Sequence, residues 1–416
     1  MSATSRRSVV LAAVGALAGA LLIPLAPASA APTTATATTT AATLDRSERD
    51  LRAALEAVVA AGATGVNALV DDGDDVTRLA AGHARLDPDR RLRTGDQARV
   101  GSITKTFVAV VMLELQRAGR LDLDDTLESW LPGLVPNGSD ITLRMLLNHT
   151  SGIFNYTDDP DFFELAFSDP FRPWTARELV DLALENPPVF APGTSWSYSN
   201  TGYILLGMVL QRATHQSVGE LLDRHVIGPL DLDDTYLATS PRWRGPHAHG
   251  YIPPGVYGAQ DYVDTSRWTP TWAGAAGAVV STPSDLRTFY QALLSGRLLP
   301  RASLREMKDV VMPVPEAGYG LGLLVLETPC GTVWGHEGGI PGYVTIAFVD
   351  RTGSRAAMLV LSTEPDAEIG AAFGELVATA VCGMFGKDVP ADFGTAAARG
   401  QAQRWSALTR DLSPAR

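Results

Sequence analysis

The stretch Ser102-Ile103-Thr104-Lys105 opens an apolar run from Phe107 to Leu115, in which Phe107, Val108, Val111, Met112 and Leu115 recur at helical spacing. The spacing predicts a buried helix with Ser102 in its first turn. Residues three apart share a helix face, so the Lys105 amine comes within reach of the Ser102 hydroxyl. The positive end of the helix also favours an oxyanion forming there. A serine beside an amine suits acyl transfer. The plain alternative is a Ser102 that only caps the helix, in an S-x-x-K spacing met by chance. Against chance stands the scarcity of lysine: positive charge is carried almost wholly by arginine, and the only lysines are Lys105, Lys308 and Lys387. Lys105 also lies among apolar neighbours, where a charge is costly to bury and the amine pKa falls.

Outward from this helix, the chain changes character twice. Before it, a helical stripe of Leu51, Leu55, Val58 and Val59 stops at Gly62 and Gly65. Val66 to Val70 and Val76 to Ala81 then flank the acidic turn Asp71-Asp72-Gly73-Asp74-Asp75 as a hairpin. After the serine helix, to about residue 270, the pattern predicts helices and long loops rather than strands. Thr142 to Asn148 is one helix, Thr175 to Glu185 another with Thr175 and Glu178 as a capping box, and a third opens after Ser199-Asn200, one of which caps it. Pro, Gly and Trp crowd Pro241 to Trp272, a long loop of the kind that walls a cleft.

From about Ala275 helices return at Ser284 to Leu294 and Ala302 to Asp309. Strands follow at Gly320 to Glu327, Thr332 to His336, Tyr343 to Val349 and Ala356 to Leu361, with a hairpin turn at Asp350-Arg351-Thr352-Gly353, and Ile369 to Met384 closes as a helix. Strands at both ends with helices between them imply a mixed α/β (α+β) fold. An antiparallel sheet flanked by helices (44–101 and 275–388) is expected beside an inserted all-helical lobe (102–274), with the cleft between them.

At 416 residues and 45% hydrophobic content the chain can build an ordinary core. A net charge of -12 and a pI near 5.1, without long basic runs, argue against a nucleic-acid partner. Arg6 and Arg7, the apolar stretch Val9 to Leu25 and the small residues Ala28-Ser29-Ala30 read as a secretory signal peptide over 1–30, cleaved near Ala30. Secretion without a stable membrane anchor is expected, as a monomer. Residues 31–43, nearly all Ala, Thr and Pro, read as a disordered spacer, and 389–416 as a polar tail. Export would expose Cys330 and Cys382 to an oxidising environment, where a disulfide is expected. Closing a loop of roughly fifty residues stabilises by about 4 kcal/mol in the chain-entropy model. Two free buried thiols are the alternative. No compact histidine cluster joins the cysteines, and the position where a zincin's second histidine belongs is Ile340, so neither a metal nor another cofactor is expected.

A serine hydroxyl is a weak nucleophile until its proton is taken. Tyr198-Ser199-Asn200, after the turn Ala191-Pro192-Gly193, supplies a candidate base, because a lysine ammonium would favour the Tyr198 phenolate. Trp334-Gly335-His336-Glu337-Gly338-Gly339 is a strand whose glycines admit a substrate against the backbone. The Gly339 and Ser102 N–H groups can form an oxyanion hole, and His336 can hold a proton or orient the phenol. No Gly-x-Ser-x-Gly elbow occurs.

The order and spacing of these motifs resemble the serine β-lactamase and penicillin-binding protein superfamily. Arg99 to Lys105, Asn148-His149-Thr150-Ser151-Gly152, Tyr198-Ser199-Asn200, Gly318-Tyr319-Gly320-Leu321-Gly322 and Gly335-His336-Glu337-Gly338 are similar to its class C branch, in particular to secreted actinomycete D-alanyl-D-alanine carboxypeptidases. The likeness runs from about Leu44 to Lys387. It implies the β-lactamase/DD-peptidase fold over 44–388 and an acyl-enzyme on Ser102, with Lys105 and Tyr198 moving protons. It further implies that Asn200 bonds the substrate amide, that Ser102 and Gly339 hold the oxyanion, that Trp272 is a cleft tryptophan, and that Cys330 and Cys382 form a cystine.

Two departures bear on substrate. Those carboxypeptidases carry His-Thr-Gly-Thr where this chain has His336-Glu337-Gly338-Gly339, and their carboxylate-binding arginine falls at Leu324. A glutamate there repels an anionic substrate end by ~1 to a few kcal/mol. The expected activity is a secreted serine hydrolase of D-alanyl-D-alanine carboxypeptidase type, acting on small peptides and peptidoglycan stems. An esterase on the same nucleophile, and a penicillin-binding module with negligible turnover of β-lactam ligands, are the alternatives.

Overall fold

The computed structural model describes residues 39–311, 317–391 and 393. The signal peptide, most of the expected spacer and most of the tail lie outside these residues. Strands occur in chain order as β1 (Gly65–Asp71), β2 (Val76–Arg85), β3 (Arg90–Arg91), β4 (Ala98–Arg99), β5 (Tyr236–Leu237), β6 (Tyr251–Ile252) and β7 (Val263–Asp264). They continue as β8 (Val279–Ser281), β9 (Ala317–Tyr319), β10 (Leu324–Thr328), β11 (Gly331–Ile340), β12 (Tyr343–Asp350) and β13 (Ala356–Leu361).

Eight of these strands form one sheet in the order β3-β2-β1-β13-β12-β11-β10-β9, in which the first and last thirds of the chain meet at the antiparallel β1–β13 pair. The acidic hairpin closes because its own carboxylates satisfy the turn: Asp71 Oδ1 accepts from Gly73 N–H, and Asp72 Oδ1 accepts from Asp74 and Asp75 N–H. The other Asp71 oxygen accepts from Arg287 Nε at 2.6 Å and Gln291 Nε2 at 2.9 Å, tying the turn to the helix Pro283–Leu294.

Helices Thr39–Ala60 and Ala367–Met384 cover one face of the sheet, where Leu51, Leu55, Val58, Ile369 and Leu376 pack on Val66, Ala68, Leu359 and Leu361. Helix Ala367–Met384 is long and apolar enough to cross a membrane by length and composition, but its apolar residues belong to this core. The structure sets Cys330 against Cys382 with Cα atoms 5.2 Å apart, a separation that suits a disulfide. On the other face Leu69, Ala347, Val349 and Met358 join the larger core built on Thr104–Arg117, Asn200–Thr214 and Pro283–Leu294. Strands β1 and β13 are buried along their whole length because both faces are covered.

Several boundaries differ from expectation. The first helix begins at Thr39, inside the expected spacer. The strand expected over Gly320–Glu327 is formed only from Leu324, as β10; Gly320 to Leu323 is instead a turn joining β9 to β10, in which Gly320 N–H bonds Leu323 O. Gly322 lies there at φ +65°, and a Cβ on it would come within 2.9 Å of Lys105 O, so the turn presses on the serine helix. Short strands β5, β6 and β7 interrupt the region expected to be only helices and loops. Ser199 occupies the cap position of helix Asn200–Thr214, but its hydroxyl makes no capping bond. The Thr175–Glu178 capping box is present as expected.

Candidate active site

Strand β4 pairs with β8 and delivers the chain through Val100 and Gly101 into a tight turn at Gly101–Ile103, which runs directly into the helix Thr104–Arg117. Ser102 sits on that turn, immediately ahead of the helix. Glycine is required twice for this placement. Gly101 adopts φ +52°, and a Cβ on it would lie 2.8 Å from both Gly339 N and Gly339 O. A Cβ on Gly338 would lie 2.0 Å from Val100 O and 3.0 Å from Ser102 N. The serine turn and β11 therefore meet backbone to backbone, which brings the Ser102 and Gly339 amides to the same cleft. Thr104 Oγ1 holds the turn from below, donating to Gly101 O at 2.7 Å and accepting from Val279 N–H at 3.0 Å.

Lys105 is wholly buried, and its Nζ makes three contacts: Ser102 Oγ at 3.0 Å, Asn200 Oδ1 at 2.7 Å and Ala276 O at 2.8 Å. Burial alone drives its pKa well below the usual lysine value. Nζ donates in all three contacts, to Ser102 Oγ, Asn200 Oδ1 and Ala276 O; burial favours loss of one of these protons, which would leave a lone pair facing the Ser102 hydroxyl while the two carbonyl oxygens hold the other N–H groups. Asn200 has both ends of its amide engaged, Oδ1 by Lys105 and Nδ2 by Thr157 Oγ1 at 3.0 Å. In this arrangement it orients the lysine, and it also lines the cleft, where the substrate amide expected from sequence would meet it.

Tyr198 hydrogen-bonds Ser102, and its ring centroid is 4.8 Å from Lys105 Nζ. Its pKa is nonetheless raised, by burial first and by the nearby Glu337 carboxylate; the Ser102 bond opposes them. The expected phenolate is thus disfavoured. The reason is that burial disfavours both charged partners of a lysine–phenolate pair, the ammonium as well as the phenolate.

His336 does not reach Tyr198. Its Nε2 is 2.9 Å from Tyr319 Oη and its Nδ1 2.5 Å from Glu337 O, so Nδ1 carries the proton and Nε2 accepts from the phenol. Burial, with the neighbouring Lys105, lowers His336 to about 3. The neutral ring is therefore favoured at physiological pH; the expectation for His336 is either to hold a proton or to orient the phenol. Glu337 does not line the cleft, although its charge is felt at Tyr198. Leu324 pairs with Tyr319 and Gly335 and packs against the core under Ala367–Met384.

Sequence reasoning assigned no role to His149 or Tyr319, although both stand inside quoted motifs. His149 lies at φ +65°, accepts from Ser199 N–H at 3.2 Å, and places its ring 4.3 Å from Tyr198 and 4.8 Å from Tyr319. Burial, then Lys105 and His336, keep it well below the usual histidine pKa. Together these rings wall off the back of Tyr198. The open side of the cleft is lined by Ser102, Tyr156, Asn200, Trp272, Gly339 and Ile340, with three small residues between 273 and 277, and none of the lining side chains is charged. Trp272 is anchored through its carbonyl, which accepts from Tyr156 Oη at 2.6 Å.

This chain is similar to known proteins. The family model described as Beta-lactamase matches residues 45–379. Penicillin-binding protein 4* of Bacillus subtilis (strain 168) is 29% identical over 316 residues, spanning 71% of this chain and 67% of its own. Esterase EstB of Burkholderia gladioli is 28% identical over 332 residues, spanning 70% of this chain and 83% of its own. The crystal structure of a D-stereospecific amidohydrolase from Streptomyces sp. superposes with a TM-score of 0.74 at 39% identity, covering 81% of this chain and 99% of that one. A match across most of the chain, carried by the strands and helices that assemble the serine–lysine pair, places this protein in the Beta-lactamase family of serine hydrolases.

Proposed function

We propose that this protein is a serine acyl-hydrolase that opens amide or ester bonds of D-amino-acid substrates through an acyl-enzyme on Ser102. The observation that carries the proposal is the Lys105 shell, in which the wholly buried Nζ lies 3.0 Å from Ser102 Oγ and is held there by Asn200 Oδ1 and Ala276 O, with burial favouring the neutral amine. In this reading Lys105 takes the Ser102 proton as Oγ adds to the substrate carbonyl, and the Ser102 and Gly339 N–H groups receive the oxyanion. Tyr198, bonded to Ser102, passes the proton to the departing amine or alcohol, and a water then releases the acyl group by the reverse relay. The uncharged lining of the cleft favours acyl and leaving groups without a free carboxylate, and the Glu337 charge acts in the same direction. The D-stereospecific amidohydrolase similar to this chain supports D-amino-acid amides as the substrate class over carboxylate-ended peptidoglycan stems. We also propose that the protein works outside the cell after export, as the sequence of its first thirty residues suggests.

A neutral ester is the second reading, favoured by the same uncharged lining and by the likeness to Esterase EstB. The test is product analysis by mass spectrometry with D-phenylalaninamide, an N-acyl-D-alanyl-D-alanine peptide and a p-nitrophenyl ester. The amide is expected to be cleaved at least ~10-fold faster than the carboxylate-ended peptide, about 1.4 kcal/mol of discrimination. Ser102→Ala is expected to lower every rate by ~10⁴-fold or more. Full turnover by Ser102→Ala would end the acyl-enzyme reading; a preference for the carboxylate-ended peptide would return the carboxypeptidase; ester turnover alone would leave the esterase.

A further inference from the structure

Arg99 stands three residues before the nucleophile on β4, buried to 5% exposure, yet takes no part in the chemistry described above. Among the described residues it forms no ion pair. Asp264, the acid that acts on it at longer range, is committed elsewhere: Oδ2 bonds His249 Nδ1 at 2.7 Å and Oδ1 accepts from Ser266 N–H at 2.8 Å. The guanidinium instead donates through Nη2 to two backbone carbonyls, Ser266 O at 3.0 Å and Trp268 O at 2.6 Å. The guanidinium carbon also lies 5.6 Å from the centroid of the Trp243 ring; a buried cation held by two carbonyls and an aromatic face, with no carboxylate partner, is expensive to keep, so the segment it holds is the place to look for its use.

That segment enters the cleft wall. Trp272 lines the space beside Ser102 and also a second recess, which it shares with Trp268, Phe162, Phe163, Phe167 and Pro341. The segment has other anchors: Trp243 Nε1 donates to Ser266 O at 3.0 Å, and Thr265 Oγ1 donates to Pro341 O at 2.8 Å. Arg99 differs from these because it extends from the same short strand that delivers Ser102. Its bonds therefore set the distance between the nucleophile and the tryptophans, and charge-assisted bonds resist displacement more than neutral ones.

We propose that Arg99 is a positioning residue that fixes the Trp268–Trp272 wall relative to Ser102 and thereby determines which acyl groups the cleft accepts, favouring bulky apolar ones. The proposal rests on the reading of Ser102 as the acylated serine. The wall contacts the acyl portion and not the reacting atoms, so loosening it acts on substrates that reach the wall and spares those that do not.

The experiment compares Arg99→Met and Arg99→Lys with the parent protein on p-nitrophenyl acetate, butyrate and octanoate and on D-phenylalanine p-nitroanilide, with hydrogen exchange followed across 264–272. Arg99→Met is expected to raise KM for the octanoate and the D-phenylalanine substrate by ~10-fold or more while kcat for acetate stays within about threefold, since a wall displaced by ~1 Å costs up to ~10² where it is used. Exchange over 264–272 speeds up, and Arg99→Lys, which keeps the charge but not the planar fork, restores part of the KM. Trp243→Phe removes a neutral bond to the same Ser266 carbonyl and gives the same pattern in weaker form if Arg99→Met does not fold. Equal losses on acetate and octanoate, or unchanged KM across the series, would overturn the proposal. If the parent cleaves the esters but not the D-phenylalanine substrate, the D-amino-acid reading fails while the ester series still decides the role of Arg99.

Discussion

On the face of the sheet toward Thr39–Ala60 and Ala367–Met384, Val66, Ala68, Phe348 and Leu359 belong to one apolar cluster. On the opposite face the same sheet carries His336, held by Tyr319, and Thr345, whose hydroxyl is buried without a partner among the described residues. The first face is ordinary hydrophobic packing, where stability accrues with area and no single atom decides the outcome. At the cleft end of the second, position dominates: glycines strip the backbone so that β11 can touch the serine turn, and burial pushes the pKa of a lysine well down. Substitutions on the first face should therefore change stability and spare turnover, whereas those at the cleft should change turnover more than stability.

The sharpest test of that contrast is Lys105→Met. Loss of the amine is expected to lower kcat/KM by ~10³-fold or more, within the range for a general base, while the melting temperature holds or rises because a buried amine gives way to an apolar chain. The pH profile follows from the same group. With its folded pKa well below the usual lysine value, Lys105 is a competent base above that pKa, so kcat/KM rises with pH through it and then levels. The unfolded chain keeps its proton up to the ordinary value, so stability also climbs between the two pKa values, a slope that Lys105→Met removes. His336, at about 3, adds no limb near pH 6.5. A neutral-pH limb that disappears in His336→Gln would break this assignment.

On the apolar face, Cys330→Ala with Cys382→Ala opens a loop of 52 residues. The expected loss is about 4 kcal/mol by denaturant melts in the chain-entropy model, with kcat at 25 °C unchanged as long as the variant stays folded. A large fall in kcat would show that the two faces are coupled. Gly338→Ala is expected to cost about 1–3 kcal/mol by overpacking, because its Cβ meets Val100 O and Ser102 N and not a movable side chain. Turnover should fall by up to ~10², since relief of the clash moves the oxyanion donors. The smallest effect is on the other face: Gly383→Ala meets nothing closer than 3.7 Å and should stabilise the helix Ala367–Met384 by about 0.5–1 kcal/mol. Gly383→Ala lowering kcat, or Gly338→Ala sparing it, would erase the distinction between the faces.

Local rules carried much of the fold into the sequence. The Asp71–Asp75 hairpin, the Thr175–Glu178 capping box and the apolar periodicity of Phe107 to Leu115 were legible because each depends on residues within a turn or two of one another. The run Gly320 to Leu323, which opens the strand expected over Gly320 to Glu327, misled for the same reason. It alternates like a strand, and the need for a turn at Gly322 arises only from contact with Ala109 and Lys105 O, more than two hundred residues earlier. His149 and Tyr319 stood in plain view within their motifs, but their stacking behind Tyr198 joins segments far apart in the chain.

By itself the sequence determined the candidate serine–lysine pair, the family and the helical and strand periods, because residue type and short spacing specify these. Tertiary structure decided the charge states and the contacts. Whether Lys105 is an ammonium or an amine depends on water being excluded by helix Asn200–Thr214 and by Ala276. Whether Tyr198 can be a phenolate depends on that answer, and whether His336 faces Tyr198 or Tyr319 depends on strand register. Desolvation is a property of the assembled molecule, so no local pattern of residues can encode it.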